Sequence, residues 1–261
     1  MNVMMRTRIT AALLVAVPAL LAGQAAPREE SLRFSEPTTL ATLDLDKLKG
    51  ELSRLAWSPD GSQLYVQTLE GGFGKPNVKL RHYLLSATDG AKRDLQVEPD
   101  WALEYWTAKS GQASPDDESL KIELKSEARR ERTTSLPQGG ELARGGTTST
   151  ITQNDELSIL ALQTVPVHTM LLHGETIGEF VNSVIVPGLT FGWGPKGSRA
   201  IAFAAQKTGR IVVMDDRGRT WEIAGSKDAI LPAWSPDGGR LAWLQKDGRK
   251  KHLLQVSRID R

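Results

Sequence analysis

A chain of 261 residues, 39% hydrophobic and 25% charged, has globular composition and enough length for one large domain or two small ones. It has no cysteine, which excludes disulfides and a lipid anchor on an N-terminal cysteine, so an exported form must rely on its core. Arg6 and Arg8 account for the whole formal charge of +2, and the neutral remainder offers no electrostatic footprint for nucleic acid.

Arg6 and Arg8 precede a short apolar run, residues 9–22, and then Gly23-Gln24-Ala25-Ala26. That is the pattern of a secretory signal peptide over residues 1–26, cleaved after Ala25 or Ala26. The run is shorter than the ~20 apolar residues of a membrane span, with an uncleaved anchor as the alternative. Residues 27–261 are then expected as one periplasmic or secreted domain with no stable membrane insertion.

After a polar leader, residues 38–45 alternate like a strand and 46–50 read as a turn. Leu55-Ala56-Trp57 is a short strand, and Ser58-Pro59-Asp60-Gly61 is a turn with a mechanism. Pro59 presets φ, Asp60 tolerates the third position, and Gly61 takes the left-handed fourth. Strands follow at 63–68, 79–86 and 92–97, separated by a loop at 71–76 and a turn at Thr88-Asp89-Gly90. Four short antiparallel strands in about 43 residues make one blade of a β-propeller.

The same words return at Ala233-Trp234-Ser235-Pro236-Asp237-Gly238, and more loosely at Gly192-Trp193-Gly194-Pro195-Lys196-Gly197. Behind Gly197, strands are predicted at 200–204, 211–214 and 220–223. Behind Gly238, they are predicted at 240–245 and 252–256, one strand short of four. The apolar runs are nearly continuous, which fits strands covered on both faces.

Trp193 and Trp234 are one repeat length apart, and the longer stretch from Trp57 to Trp193 has room for two more units. The even spacing places one at Trp101. The competing phase uses Ser114-Pro115-Asp116-Asp117, a longer step from Ser58. The other unit lies near Thr152, with its turn at Asn154-Asp155 and strands at 158–162, 167–172 and 176–181; residues 138–150 read as a linker. The expectation is all-β, a single propeller of about five four-stranded blades, with six as the alternative. The strand at 38–45 completes the last blade and removes an exposed edge.

These words resemble the WD-repeat-like propeller repeat of TolB-type proteins, also found in the propellers of the dipeptidyl-peptidase and prolyl-oligopeptidase families. The close match covers residues 54–97 and 188–258. The resemblance implies a fold and leaves activity open, because one fold hosts many functions. No room is expected for the extra N-terminal domain of TolB, nor for the hydrolase domain of the peptidases.

The chemistry in the sequence is sparse. Ser58 and Ser235 are turn residues, no Gly-x-Ser-x-Gly elbow occurs, and the glycines at 71–74 with Lys75 precede Pro76 rather than Ser or Thr. His82, His168 and His252 fall in three different units, and His168 and His173 face opposite sides of a strand, so no metal site is expected. Asp44, Asp46, Asp215 and Asp216 are read as turn-capping acids, and the mixed charges at 121–132 as a solvated hairpin. Trp57, Trp193 and Trp234 are read as packing between blades. Trp101, Tyr105 and Trp106 are denser than the repeat requires and are the candidate exposed binding surface. The expected function is a non-enzymatic module that binds a protein or peptide, without cofactor. The alternative is a propeller enzyme, a lyase or glycan-active protein, working from rim or channel residues.

Overall fold

The computed structural model describes residues 32–71, 77–111, 113–115, 118, 120–133, 147–153, 156–172, 174–181, 190–205 and 208–260. The expected signal peptide, the glycine loop at 72–76, the Asn154-Asp155 turn and His173 lie outside them. Within them the chain is predominantly β, in four antiparallel sheets.

The order starts with β1 (Arg33–Phe34), β2 (Thr38–Asp44) and a one-turn helix α1 (Leu45–Leu48). The first sheet is a plain meander of β3 (Glu51–Trp57), β4 (Gln63–Glu70), β5 (Lys79–Ser86) and β6 (Lys92–Leu95). Then comes α2 (Asp100–Ser110), where the even spacing predicts a strand unit phased on Trp101. The segment is helical because Ala102, Leu103, Glu104, Ala108 and Lys109 are good helix formers, and Asp100 favours the positive end of the helix dipole.

The repeat's turn sits instead at Ser114, the competing phase. Its backbone N–H bonds to the Leu120 carbonyl at 2.8 Å. Ser58 makes the equivalent bond to Gln63 at 2.9 Å, Ser235 to Arg240 at 2.9 Å and Gly194 to Ala200 at 2.8 Å.

The second sheet contains β7 (Ile122–Thr133), β8 (Thr147–Gln153), β9 (Glu156–Leu172) and β10 (Glu175–Val181), all paired to β9. The two strands predicted at 158–162 and 167–172 are therefore one. The alternation runs through Pro166, which is exposed between buried Val165 and Val167, so the side-chain period is not interrupted.

The third sheet is β11 (Phe191–Trp193), β12 (Ala200–Ala205), β13 (Arg210–Asp215) and β14 (Thr220–Glu222), in that spatial order. The fourth has β15 (Ala229–Trp234), β16 (Arg240–Lys246) and β17 (Lys251–Asp260). Its fourth strand is β2, antiparallel to β17 from Asp44↔Lys251 to Thr38↔Val256, with β1 continuing at Phe34↔Ile259. The strand that the last repeat lacks in sequence is thus supplied from the other end of the chain.

Packing follows the period of two. Leu55, Trp57, Leu64, Val66 and Leu85 of the first sheet meet Leu231, Ala233, Ala242 and Leu244 of the fourth. The opposite face of the fourth, with Trp234, Leu241 and Trp243, meets Ala200, Ala202, Ile211 and Val213 of the third. The other face of the third, with Ile201, Phe203 and Met214, meets Ile122, Met170 and Leu172 of the second. The remaining face of the first sheet, with Ala56, Tyr65 and Leu84, is covered by Ala102 of α2 with Trp101 and Tyr105 beside it. Sheets covered on both faces explain why their sequences read as continuous apolar runs.

Candidate functional site

The repeat residues lie in the core and its turns. Trp57, Trp193 and Trp234 are 1%, 2% and 1% exposed. The indole N–H of Trp57 donates to the Ala233 carbonyl at 2.9 Å, that of Trp234 to Gly192 at 3.1 Å, and that of Trp193 to Gly111 at 2.7 Å. Each tryptophan pins its unit to the strand or segment that opens a neighbouring one. Two acceptors, Ala233 and Gly192, directly precede the tryptophan of the next copy.

The turns coincide bond for bond. The hydroxyls of Ser58 and Ser235 donate to Asp60 at 2.6 Å and Asp237 at 2.5 Å. The same hydroxyls accept from the backbone of Gln63 and Arg240, both at 2.9 Å. Gly61 and Gly238 sit at φ 67° and 70°, the left-handed region their turn position requires. Pro59, Pro195, Pro236 and Gly197 complete the three turns. The Ser58 hydroxyl, followed by Ser62, lowers the Asp60 carboxyl to about 2, and the Ser235 hydroxyl lowers that of Asp237.

Trp101, Tyr105 and Trp106 are half-buried, turned from α2 onto the sheets. Trp101 meets the Tyr65 ring edge-on at 6.2 Å between centroids, and the Arg54 guanidinium lies 5.1 Å over Trp106. The Tyr105 hydroxyl donates to the Trp234 carbonyl at 2.7 Å, and burial pushes its pKa well above the usual phenol range. These aromatics anchor the helix. Each keeps part of its surface open to solvent.

Beneath them lies a polar network that no motif in the sequence announces. Ser53 donates to Gln67 Oε1 at 2.9 Å, Gln67 Nε2 donates to the Tyr65 hydroxyl at 3.0 Å, and that hydroxyl is 2.7 Å from His82 Nδ1. Burial lowers the His82 pKa and raises that of Tyr65, so both stay neutral. Arg54 pairs with Glu98 at 2.8 Å alongside.

The three described histidines stay apart, on β5, β9 and β17. His168 bonds Ser126 through Nδ1 at 2.6 Å, and the Nδ1 of His252 is buried without a partner. Among the described residues no group of three or more His, Asp or Glu side chains is placed to hold a metal ion. The acids serve turns and ion pairs. Asp44 caps α1, Asp46 pairs with Lys250 at 2.6 Å, Asp215 holds the 217–219 turn, and Asp216 pairs with Arg199 at 2.5 Å. On β7, Arg129 bridges Glu127 of the same strand and Glu179 of β10.

One open cleft of about 480 Å³ lies between the fourth and first sheets. The chain between β1 and β2 lines it with Ser35 and Glu36, and the β5–β6 turn with Ala87 and Thr88. Its aliphatic part is Leu40 and Val256, and its cations are Arg240 and Arg258. Arg240 stacks 4.4 Å over Trp57 and donates to the Gly61 carbonyl at 2.8 Å, so its position is set by the first sheet's turn. Sequence reasoning passed over this cleft because its walls come from opposite ends of the chain. Among the described residues no helix is long and apolar enough to cross a membrane.

No protein-family model matches the sequence, and no curated protein matches it either.

Proposed function

We propose that the four sheets are blades of a β-propeller of the TolB-like repeat type, exported and acting as a non-enzymatic module that binds a protein or peptide. The cleft between the first and fourth sheets carries this reading. It is open, mixed in polarity, and built from segments outside the repeated core words. Recognition sites are concave, with a few placed polar groups on an apolar floor, and Leu40 and Val256 beside Thr38, Thr88 and Arg258 have that make-up. The closing of the last sheet by β2 and the face-to-face packing of successive sheets support the propeller arrangement.

The enzyme alternative draws on the 2.7 Å contact between Tyr65 and His82. Tyr65 is 0% exposed, however, and its hydroxyl is already engaged by Gln67, so a substrate has no approach to it.

The test is site-specific photo-cross-linking in cells that export the chain. A cross-linker at Thr88 is expected to give a discrete protein adduct that one at exposed Glu222 does not. Equal adducts at both sites, or none at Thr88, would reject the cleft as a binding site. Recovery of the chain in the exported fraction, with a new N-terminus at Ala26 or Pro27, tests the signal reading.

A further inference from the structure

We infer that this cleft is an anion-recognising groove, built to take the carboxylates of an acidic peptide in extended conformation. The inference rests on the binding-module reading and gives it a ligand chemistry. Its origin is a cross-strand pair: Arg240 on β16 and Arg258 on β17 are register partners. Directly opposed residues of an antiparallel pair share a face with Cβ atoms only ~5 Å apart, and like charges so placed repel. Two arginines opposed in this way repel and are a cost to the sheet that a bound anion would relieve.

Among the described residues neither guanidinium forms an ion pair. The one acid lining the cleft is Glu36. The Asp237 carboxylate also feels Arg240, but it is taken by the Ser235 hydroxyl and the Gly239 N–H at 2.5 and 3.0 Å. Arg240 spends one N–H on Gly61 and lays its flat face on Trp57, leaving further donors of the fork for a ligand. A guanidinium held this way loses little freedom on binding, and its planar fork matches a carboxylate.

Arg258 is exposed and completes the pair from the next strand. Thr38 and Thr88 add hydroxyl-bearing side chains to the lining, and Leu40 and Val256 add aliphatic ones. Alternate side chains of an extended chain share one face, so acidic residues at every second position turn their carboxylates together toward the arginine pair.

The experiment is fluorescence anisotropy on the purified chain with two fluorescein-labelled heptapeptides, Gly-Glu-Val-Glu-Val-Glu-Gly and the same sequence with lysine for glutamate. The acidic peptide is expected to bind, to weaken as salt rises, and to lose roughly tenfold or more in affinity in Arg258→Glu. Glu36→Gln is expected to strengthen binding, and Lys227→Glu, on the loop between β14 and β15, to leave it unchanged. Arg258 is exposed, so a thermal melt matching the unsubstituted chain separates lost affinity from lost folding. Equal binding of the two peptides, or acidic binding untouched by Arg258→Glu, overturns the anion groove and leaves peptide binding standing. Binding of neither peptide at about 1 mM overturns both readings.

Discussion

The indole nitrogen of Trp57 stands 2.9 Å from the carbonyl oxygen of Ala233, which directly precedes the matching tryptophan of another copy. One side chain thus does two jobs: it fills the space between the first and fourth sheets and fixes their register. Trp57→Phe keeps most of the ring and removes the donor. It is expected to cost about 1–3 kcal/mol by leaving a buried carbonyl short of a partner. Trp57→Ala is expected to cost about 3–5 kcal/mol. Urea unfolding followed by circular dichroism checks both, and a Trp57→Phe variant as stable as the parent would mean that the bond contributes nothing net.

Helix α2 should depend on Tyr105 more than on its outward residues. Tyr105→Phe removes the bond to the Trp234 carbonyl and is expected to cost about 1 kcal/mol. Leu103, half exposed, tolerates Leu103→Ser within about 0.5 kcal/mol. Hydrogen exchange should show the α2 amides opening sooner in Tyr105→Phe, and unchanged exchange there would argue against the anchor.

The β2–β17 pairing predicts that stability at one chain end is held at the other. Leu43 is 3% exposed in the core between the first and fourth sheets, and Leu43→Ala is expected to cost about 2–5 kcal/mol. Thr42 points outward, and Thr42→Ala should change little. If the two variants melt alike, β2 does not carry the load that its pairing implies.

Acid should act through the turn aspartates. The Asp60 carboxyl is lowered from 3.8 to about 2 by Ser58 and Ser62, and Asp237 is lowered by Ser235 and Gly239. The folded value lies below the unfolded one. The contribution is therefore whole above pH 3.8 and is lost as pH falls through about 2. The double variant Asp60→Asn, Asp237→Asn should be less stable than the parent at neutral pH, with the difference shrinking across that window. A constant difference from pH 5 down to pH 2 would contradict the assignment.

The histidines act at milder pH. Burial lowers both His82 and His252 from 6.5, so the unfolded chain takes up protons that the fold refuses. Their contribution is complete above pH 6.5 and declines as pH falls below it. The unfolding midpoint of the parent should drop between pH 7.5 and 5.5, and His82→Gln, His252→Gln should flatten that slope. An unchanged slope would assign the sensitivity elsewhere.

The sequence by itself determined the local pieces. Ser-Pro-Asp-Gly specifies its turn through Pro φ, Asp capping and a left-handed Gly, all within a few residues, and Gly61 and Gly238 take that conformation. The strands at 79–86 and 240–245 were readable because apolar runs end at such turns, and the missing fourth strand of the last repeat pointed to residues 38–45. The even spacing misled at Trp101, because repeat distance is a weaker constraint than helix propensity in the segment it crosses.

Only tertiary structure decided what the pieces do together. That Trp57 reaches Ala233, that Tyr65 meets His82 under α2, and that Arg240 faces Arg258 in a cleft between chain segments far apart all depend on which sheets pack and in what register. Neighbourhoods of that kind come from burial of faces across the whole molecule, and a linear pattern of turns and apolar runs is the same whichever neighbours result.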